Sequence, residues 1–183
     1  RAKFFVAAGQ GGLTAKQMDE DYAAMVDEYS PDILFLAPDL YDADGNLAES
    51  DAAAFAGHIR SVAAKAKEAG AKVVLVTPVT VRGGEDEYAG AMRTVAKEDD
   101  LPLIDAQAWI GKVVAADASV KTAWFNKAGQ LNYGGHLGYA RFMMRSLDLY
   151  PSNVSGSRIA SLPYDTANVT LVGASENGGE LPV

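Results

Sequence analysis

The sequence has 183 residues, 49% of them apolar, which is enough for one buried core and a short appendage. Its formal net charge of −8 argues against nucleic acid and against anionic membrane surfaces, since both require clustered Lys and Arg. The absence of cysteine excludes disulfides and thiolate metal sites, and no apolar run approaches the ~20 residues of a membrane span. The first residue is Arg1 rather than Met, so a segment upstream of it is expected.

Four short apolar runs, each followed by helical spacing, predict buried parallel strands. The first is Lys3 to Ala8, which ends in Gly9-Gln10-Gly11-Gly12; a helix follows from the cap Thr14 through Met18, Tyr22, Met25 and Val26. The second run, Ile33 to Ala37, leads through a polar loop to a helix capped by Ser50 and ended by Gly70, with Phe55, Ile59, Val62 and Ala63 on one face. The third run, Lys72 to Val76, stops at Thr77-Pro78 and precedes a helix over Glu85 to Glu98. The fourth is Leu101 to Asp105, followed by a helix near Gln107 to Ala115, a Gly-rich stretch and a last helix from about Gly138 to Leu149.

Continuous apolar strands alternating with helices imply a three-layer α/β/α sandwich around a parallel, flavodoxin-like sheet. That domain spans residues 1–150. Residues 151–183 are rich in Ser, Asn, Gly and Pro and form an extended arm with two β-like runs, 158–162 and 168–172. The arm is expected to lie on the domain or to pair with another chain.

In such a sheet, ligands sit outside the carboxyl ends of the strands, so the residues just after each strand are the informative ones. Three of those segments resemble the SGNH hydrolases, the GDSL-like esterases and lipases. Ala8 to Ala15 is similar to the family's second block, in which a glycine donates its N–H to the oxyanion. Pro31 to Asp42 resembles the third block, and Leu131 to His136 resembles the stretch after the catalytic histidine. The resemblance implies the SGNH-type fold, and it implies ester hydrolysis by a serine, a histidine base, an orienting aspartate and oxyanion donors.

At the matching positions the residues differ. Gln130 stands where the histidine belongs and takes no proton near neutral pH; Lys127 stands for the aspartate and has the wrong sign to orient an imidazolium. Asp39 and Tyr41 replace the glycine and asparagine of the third block, and a carboxylate at Asp39 opposes a developing oxyanion. The serine lies upstream of Arg1 if Gly9 to Gly12 is the second block. If that turn is the first block instead, Gly11 occupies the serine position.

The expectation is therefore a non-catalytic SGNH-like domain, a binding or structural module of a larger assembly such as a virion, a phage tail or a cell-surface glycan binder. Its alternative is a carbohydrate O-acyl esterase with the serine supplied upstream and His136 as base. The candidate ligand-binding edge is Gly12, Asp39, Tyr41, Asp42, Gln130, Asn132, Tyr133 and His136, with Tyr41 and Tyr133 as rings that stack on sugars. His58 is expected to be a surface or edge-of-core histidine. Asp42, Asp44 and Asp51 match some spacings of a calcium loop, but Leu40 stands at the first ligand position, which favours a solvated turn. No cofactor is implied. The partners expected are protein subunits of a homo- or hetero-oligomer and a glycan, with no nucleic acid and no membrane insertion, in an extracellular or virion setting.

Overall fold

A computed structural model describes residues 12–41, 46–47 and 51–147, together with the backbone of 159–161 and 170–172. The strand expected at Lys3 to Ala8 lies outside the described residues. The chain divides into two compact units, Arg1–Gln107 and Ala108–Val183.

The first unit is built on a parallel sheet of β1 (Ile33–Leu36), β2 (Lys72–Val76) and β3 (Leu103–Ile104), ordered β1-β2-β3. Ile33 faces Lys72 and Leu36 faces Leu75 in the first pair; Leu75 faces Leu103 and Val76 faces Ile104 in the second. The connections run through the helices α3 (Ala52–Glu68) and α4 (Glu85–Glu98). Strands that advance in one direction through right-handed crossovers put both helices on the same face. There Phe55 of α3 meets Tyr88 of α4 edge to face at 5.3 Å. Phe55, Ile59 and Val62 are buried at helical spacing in one core with Val73 and Leu75, which project from the same side of β2. Burial of each such side chain stabilises by roughly 1.5–3 kcal/mol. Val76 projects from the opposite side and is also buried, as a sheet covered on both faces requires.

Local chemistry sets the helix ends. The cap of α3 is Asp51, whose carboxylate accepts the Ala54 N–H at 2.7 Å, one residue beyond the expected Ser50. Three acids occupy the first turn of α4 and Lys97 its last, each sign matched to the helix dipole.

The second unit holds most of α5 (Ala106–Ala116), then α6 (Val120–Trp124) and α7 (Tyr133–Ser146). Trp109 stacks on Phe142 at 4.6 Å, with Trp124 at 5.9 Å and Tyr139 at 6.5 Å. Burial pushes the Tyr139 phenol up to about 12, so it stays neutral in this apolar cluster. Two features differ from expectation. The helix α6 falls in the Gly-rich stretch, where no helix was expected, and α7 begins five residues before Gly138. The two β-like runs of the C-terminal segment form β4 (Ile159–Ser161) and β5 (Thr170–Val172), which pair antiparallel with each other.

Residues 14–26 form two short helices, α1 (Ala15–Glu20) and α2 (Tyr22–Met25), where one was expected. Thr14 and Gln17 close a capping box on α1. One acid then ties α1 to α3: Asp19 accepts hydrogen bonds from His58 Nδ1 at 2.9 Å, Ser61 Oγ at 2.5 Å and Lys65 Nζ at 2.7 Å. Burial alone would raise its pKa, but the bonds from His58, Lys65 and Ser61 outweigh it and lower the value from 3.8 to about 2. A depressed carboxylate stabilises the fold above its unfolded pKa, and that contribution drains away as pH falls through the folded value. Denaturant midpoints followed from about pH 6 down to about pH 2 are expected to place Asp19→Asn below the native chain, with the gap closing toward the acid end. A constant gap across that window would show that Asp19 acts by packing and not by charge.

Candidate functional site

The carboxyl ends of β1 and β2 carry one candidate edge. Gly12 adopts a left-handed φ of 75°, which a glycine accepts without strain, and delivers Leu13 and Thr14 alongside Asp39. The Asp39 N–H donates to Leu13 O at 3.0 Å, and Asp39 Oδ1 accepts the Tyr41 N–H at 3.2 Å. Tyr41 in turn donates its hydroxyl to Gly83 O at 2.7 Å, and the Arg82 guanidinium lies 4.1 Å above its ring. Burial, and then the nearby Glu85 carboxylate, raise the Tyr41 pKa. Gly12, Asp39 and Tyr41 thus lie on one edge, Asp39 and Tyr41 beyond the end of β1 and Gly12 just before the Thr14–Asp39 bridge. Arg82 and Gly83 were missed, although they follow β2 as Tyr41 follows β1; the same strand-end rule points to them. One face of the Tyr41 ring is covered by Arg82, so the ring is no open platform on that side.

Beyond β2 and β3 lies a polar network that sequence reasoning did not find. Arg93 of α4 makes a two-pronged contact with Asp105, Nε to Oδ2 at 2.7 Å and Nη2 to Oδ1 at 2.9 Å. The Thr77 hydroxyl donates to Asp105 at 3.2 Å and accepts the Gln107 N–H at 2.9 Å. Arg93 also donates to Gln107 Oε1 at 2.6 Å, while Gln107 Nε2 donates to Asp86. Only Thr77, Asp105 and Gln107 are strand-end residues; the α4 residues Arg93 and Asp86 are 12 or more residues from the groups they bond, with no local pattern to mark them.

The remaining expected site residues stand on the second unit. Asn126 to Gln130 form a tight turn between the paired Phe125 and Leu131. Asn126 donates its N–H to Gln130 O at 2.8 Å, and its Oδ1 accepts from Ala128 and Gln130 N–H at 2.9 and 3.1 Å. Gly129 closes the turn with φ 74°. Lys127 and Gln130 are exposed on it. Asn132 caps α7: its Oδ1 accepts the Gly135 N–H at 3.1 Å and its Nδ2 donates to Ala123 O at 2.8 Å. Tyr133 opens the helix at 64% exposure, and His136 is exposed one turn later, its imidazole without a hydrogen bond among the described residues. Two glycines of α7 are a packing device. A Cβ on Gly138 would lie 2.5 and 2.7 Å from two ring carbons of Trp124, and one on Gly135 would collide with the Trp124 carbonyl oxygen.

His58, expected at a surface or core edge, is half-buried and committed to Asp19. Of the calcium candidates, Asp42 and Asp44 lie outside the described residues, as does Asp42 in its role as an edge residue, and Asp51 is spent on the α3 cap. Among the described residues no three acidic or histidine side chains converge as a metal site, and no helix is long and apolar enough to cross a membrane.

No protein-family model and no curated protein matches the chain. Solved structures do. An acetylxylan esterase from Geobacillus stearothermophilus superposes with a TM-score of 0.65 at 18% identity, over 78% of this chain and 72% of that one. An α/β hydrolase from the metagenome of Lake Arreo, Spain, gives 0.63 at 16% identity over 77% and 71%. A GDSL-like lipase from Parabacteroides merdae gives 0.62 at 18% over 76% and 70%. The fold is that of the SGNH hydrolases. Catalytic mutants of the Geobacillus esterase replace a serine, an aspartate and a histidine by alanine, the aspartate three positions before the histidine. At these identities the likeness establishes the SGNH fold and leaves the reaction to the residues at the site.

Two pairs of substitutions test the packing and the network. Gly138→Ala is expected to cost about 1–3 kcal/mol by forcing a methyl against the rigid Trp124 ring, outweighing the gain in helix propensity. Gly57→Ala, on an exposed position of α3 with nothing within 4 Å, should stabilise by up to about 1 kcal/mol. Chemical denaturation measures both, and equal signs would contradict the packing account. Arg93→Ala is expected to cost about 2 kcal/mol, and Arg93→Lys to recover little of it, because an ammonium cannot reproduce the two-pronged fork; full recovery by lysine would mean that only the charge matters.

Proposed function

We propose that this chain is a non-catalytic SGNH-fold domain, a binding module of a larger assembly that recognises a carbohydrate and does not hydrolyse it. The observation that carries this reading is the Asn126–Gln130 turn. Hydrolysis by the serine mechanism of this fold needs a base for the serine proton and a carboxylate to orient that base. Lys127 and Gln130 stand three positions apart where the motif resemblance puts that pair, and neither an ammonium nor an amide can do the work.

The two histidines do not repair the loss. His58 has an acid at Nδ1, and Ser61 is nearby, but the serine hydroxyl donates to that same carboxylate rather than to the imidazole. That wiring gives no path for the serine proton to the ring. His136 has no carboxylate orienting it among the described residues. In support of carbohydrate recognition, Tyr133 presents a largely exposed ring, of the kind that lies flat against a sugar face.

A second reading is favoured by the esterases among the structural neighbours: a carbohydrate O-acyl esterase whose serine comes from upstream and whose base is the unengaged His136. Hydrolysis of p-nitrophenyl acetate separates the two. The binding reading expects no rate above the uncatalysed background and no change in His136→Ala. Turnover that disappears in that variant, with folding intact by circular dichroism, would establish the esterase instead.

A further inference from the structure

The net charge of −8 is unevenly divided along the chain, and residues 148–183 hold Arg158 alone against four acids, a net −3. Residues 1–107 hold ten Lys and Arg against 19 Asp and Glu. Residues 108–147 hold Lys112, Lys121, Lys127, Arg141 and Arg145 against Asp117 alone, a net +4 within 40 residues. Asp117 is itself engaged, accepting the Ser119 N–H at 2.9 Å. Lys112, Lys121 and Lys127 are exposed, and none of them makes an ion pair or hydrogen bond through its ammonium among the described residues. At physiological salt, surface charges act over only about 8 Å, so a ligand responds chiefly to the charges nearest it.

Two of these lysines rise from one rigid corner together with the exposed tyrosine. Lys121 is on α6, Lys127 is in the turn and Tyr133 begins α7. The corner is closed by Asn126 N–H to Gln130 O, Asn132 N–H to Trp124 O at 2.8 Å and Asn132 Nδ2 to Ala123 O. Tyr133 and His136, three apart on α7, share a face. An exposed ring and ammonium groups without a partner among the described residues, carried on elements that hydrogen bonds tie together, with Asp117 as the one acid of residues 108–147, fit a ligand that is both ring-bearing and anionic.

We infer that the corner formed by α6, the Asn126–Gln130 turn and the start of α7 binds an acidic polysaccharide, a sugar chain carrying carboxylates. Tyr133 stacks on a sugar ring while Lys121 and Lys127 pair with carboxylates on either side. This rests on the carbohydrate-binding reading above and names its ligand class. It also explains why lysine is useful at position 127, where an orienting acid would repel such a chain.

The test is a calorimetric titration of the full chain with an oligogalacturonide, a neutral xylo-oligosaccharide of equal length and a single-stranded oligonucleotide, at low and high salt. The expected result is binding of the oligogalacturonide that weakens with salt, falls about tenfold in Lys121→Glu/Lys127→Glu and survives in Lys121→Arg/Lys127→Arg. Tyr133→Ala should weaken it as well. All of these sites are exposed, and unchanged denaturation midpoints would show that the variants fold. Equal binding of the neutral sugar would overturn the acidic ligand while leaving carbohydrate recognition standing. Binding of neither sugar would overturn both. Oligonucleotide binding as tight as that of the uronide, or uronide binding indifferent to the charge reversal, would also overturn the inference.

Discussion

The Arg93–Asp105 contact is the constraint on which the carboxyl end of the sheet in the first unit depends. β3 has only two residues in the sheet, and its register rests on Leu75 opposite Leu103 and Val76 opposite Ile104. So short a ladder leaves the strand end weakly defined. Arg93 replaces the missing ladder with a planar fork that holds both carboxylate oxygens of Asp105. Thr77 then joins the end of β2 to the same carboxylate and to the first turn of α5. The guanidinium pKa is raised, first by the hydrogen bonds to Asp105, so the fork stays charged throughout the working range. A helix, two strand ends and the next helix are thereby referred to one ion pair.

At the edge beyond β1 the same economy of polar groups has a different outcome. In a hydrolase of this fold the strand ends would present donors to a developing oxyanion. Here Asp39 spends its carboxylate on the Tyr41 N–H, and Tyr41 spends its hydroxyl on Gly83. Arg82 lies over the ring. These groups satisfy one another and close the edge. In the second unit the polar groups of Asn126 and Asn132 are likewise consumed by turn and cap, which leaves Lys121, Lys127, Tyr133 and His136 facing outward. Turn-forming residues and outward-facing residues are therefore neighbours in the chain with separate surroundings.

Much of the scaffold was legible in the sequence because its signals are local. The strand 72–76 and the helix 85–98 follow from a continuous apolar run and from helical spacing with acids at the start and a lysine at the end. The candidate edge at Gly12, Asp39 and Tyr41 follows from the rule that strand ends carry ligands. The start of α7 was misjudged because Gly134, Gly135 and Gly138 lower helix propensity, and propensity is a weak term beside the close approach of Trp124, whose carbonyl leaves no room for a side chain at Gly135 and whose indole leaves none at Gly138. Asp19 and Arg93 were passed over for a related reason. Their partners lie on other elements, and nothing in a charged residue's own neighbourhood announces such a partner.

By itself the sequence determined the α/β class and the parallel sheet implied by its alternation, and it put Lys127 and Gln130 three residues apart in the segment before α7. Those are properties of single residues and of short-range spacing. Only the tertiary structure decided that Asp19 gathers His58, Ser61 and Lys65, that Gly135 and Gly138 make room for Trp124, and that exposed Tyr133, Lys121 and Lys127 stand on elements tied into one hydrogen-bonded corner. Such arrangements depend on which elements the core brings into contact, and contact across the fold is paid for in chain entropy that no local pattern records.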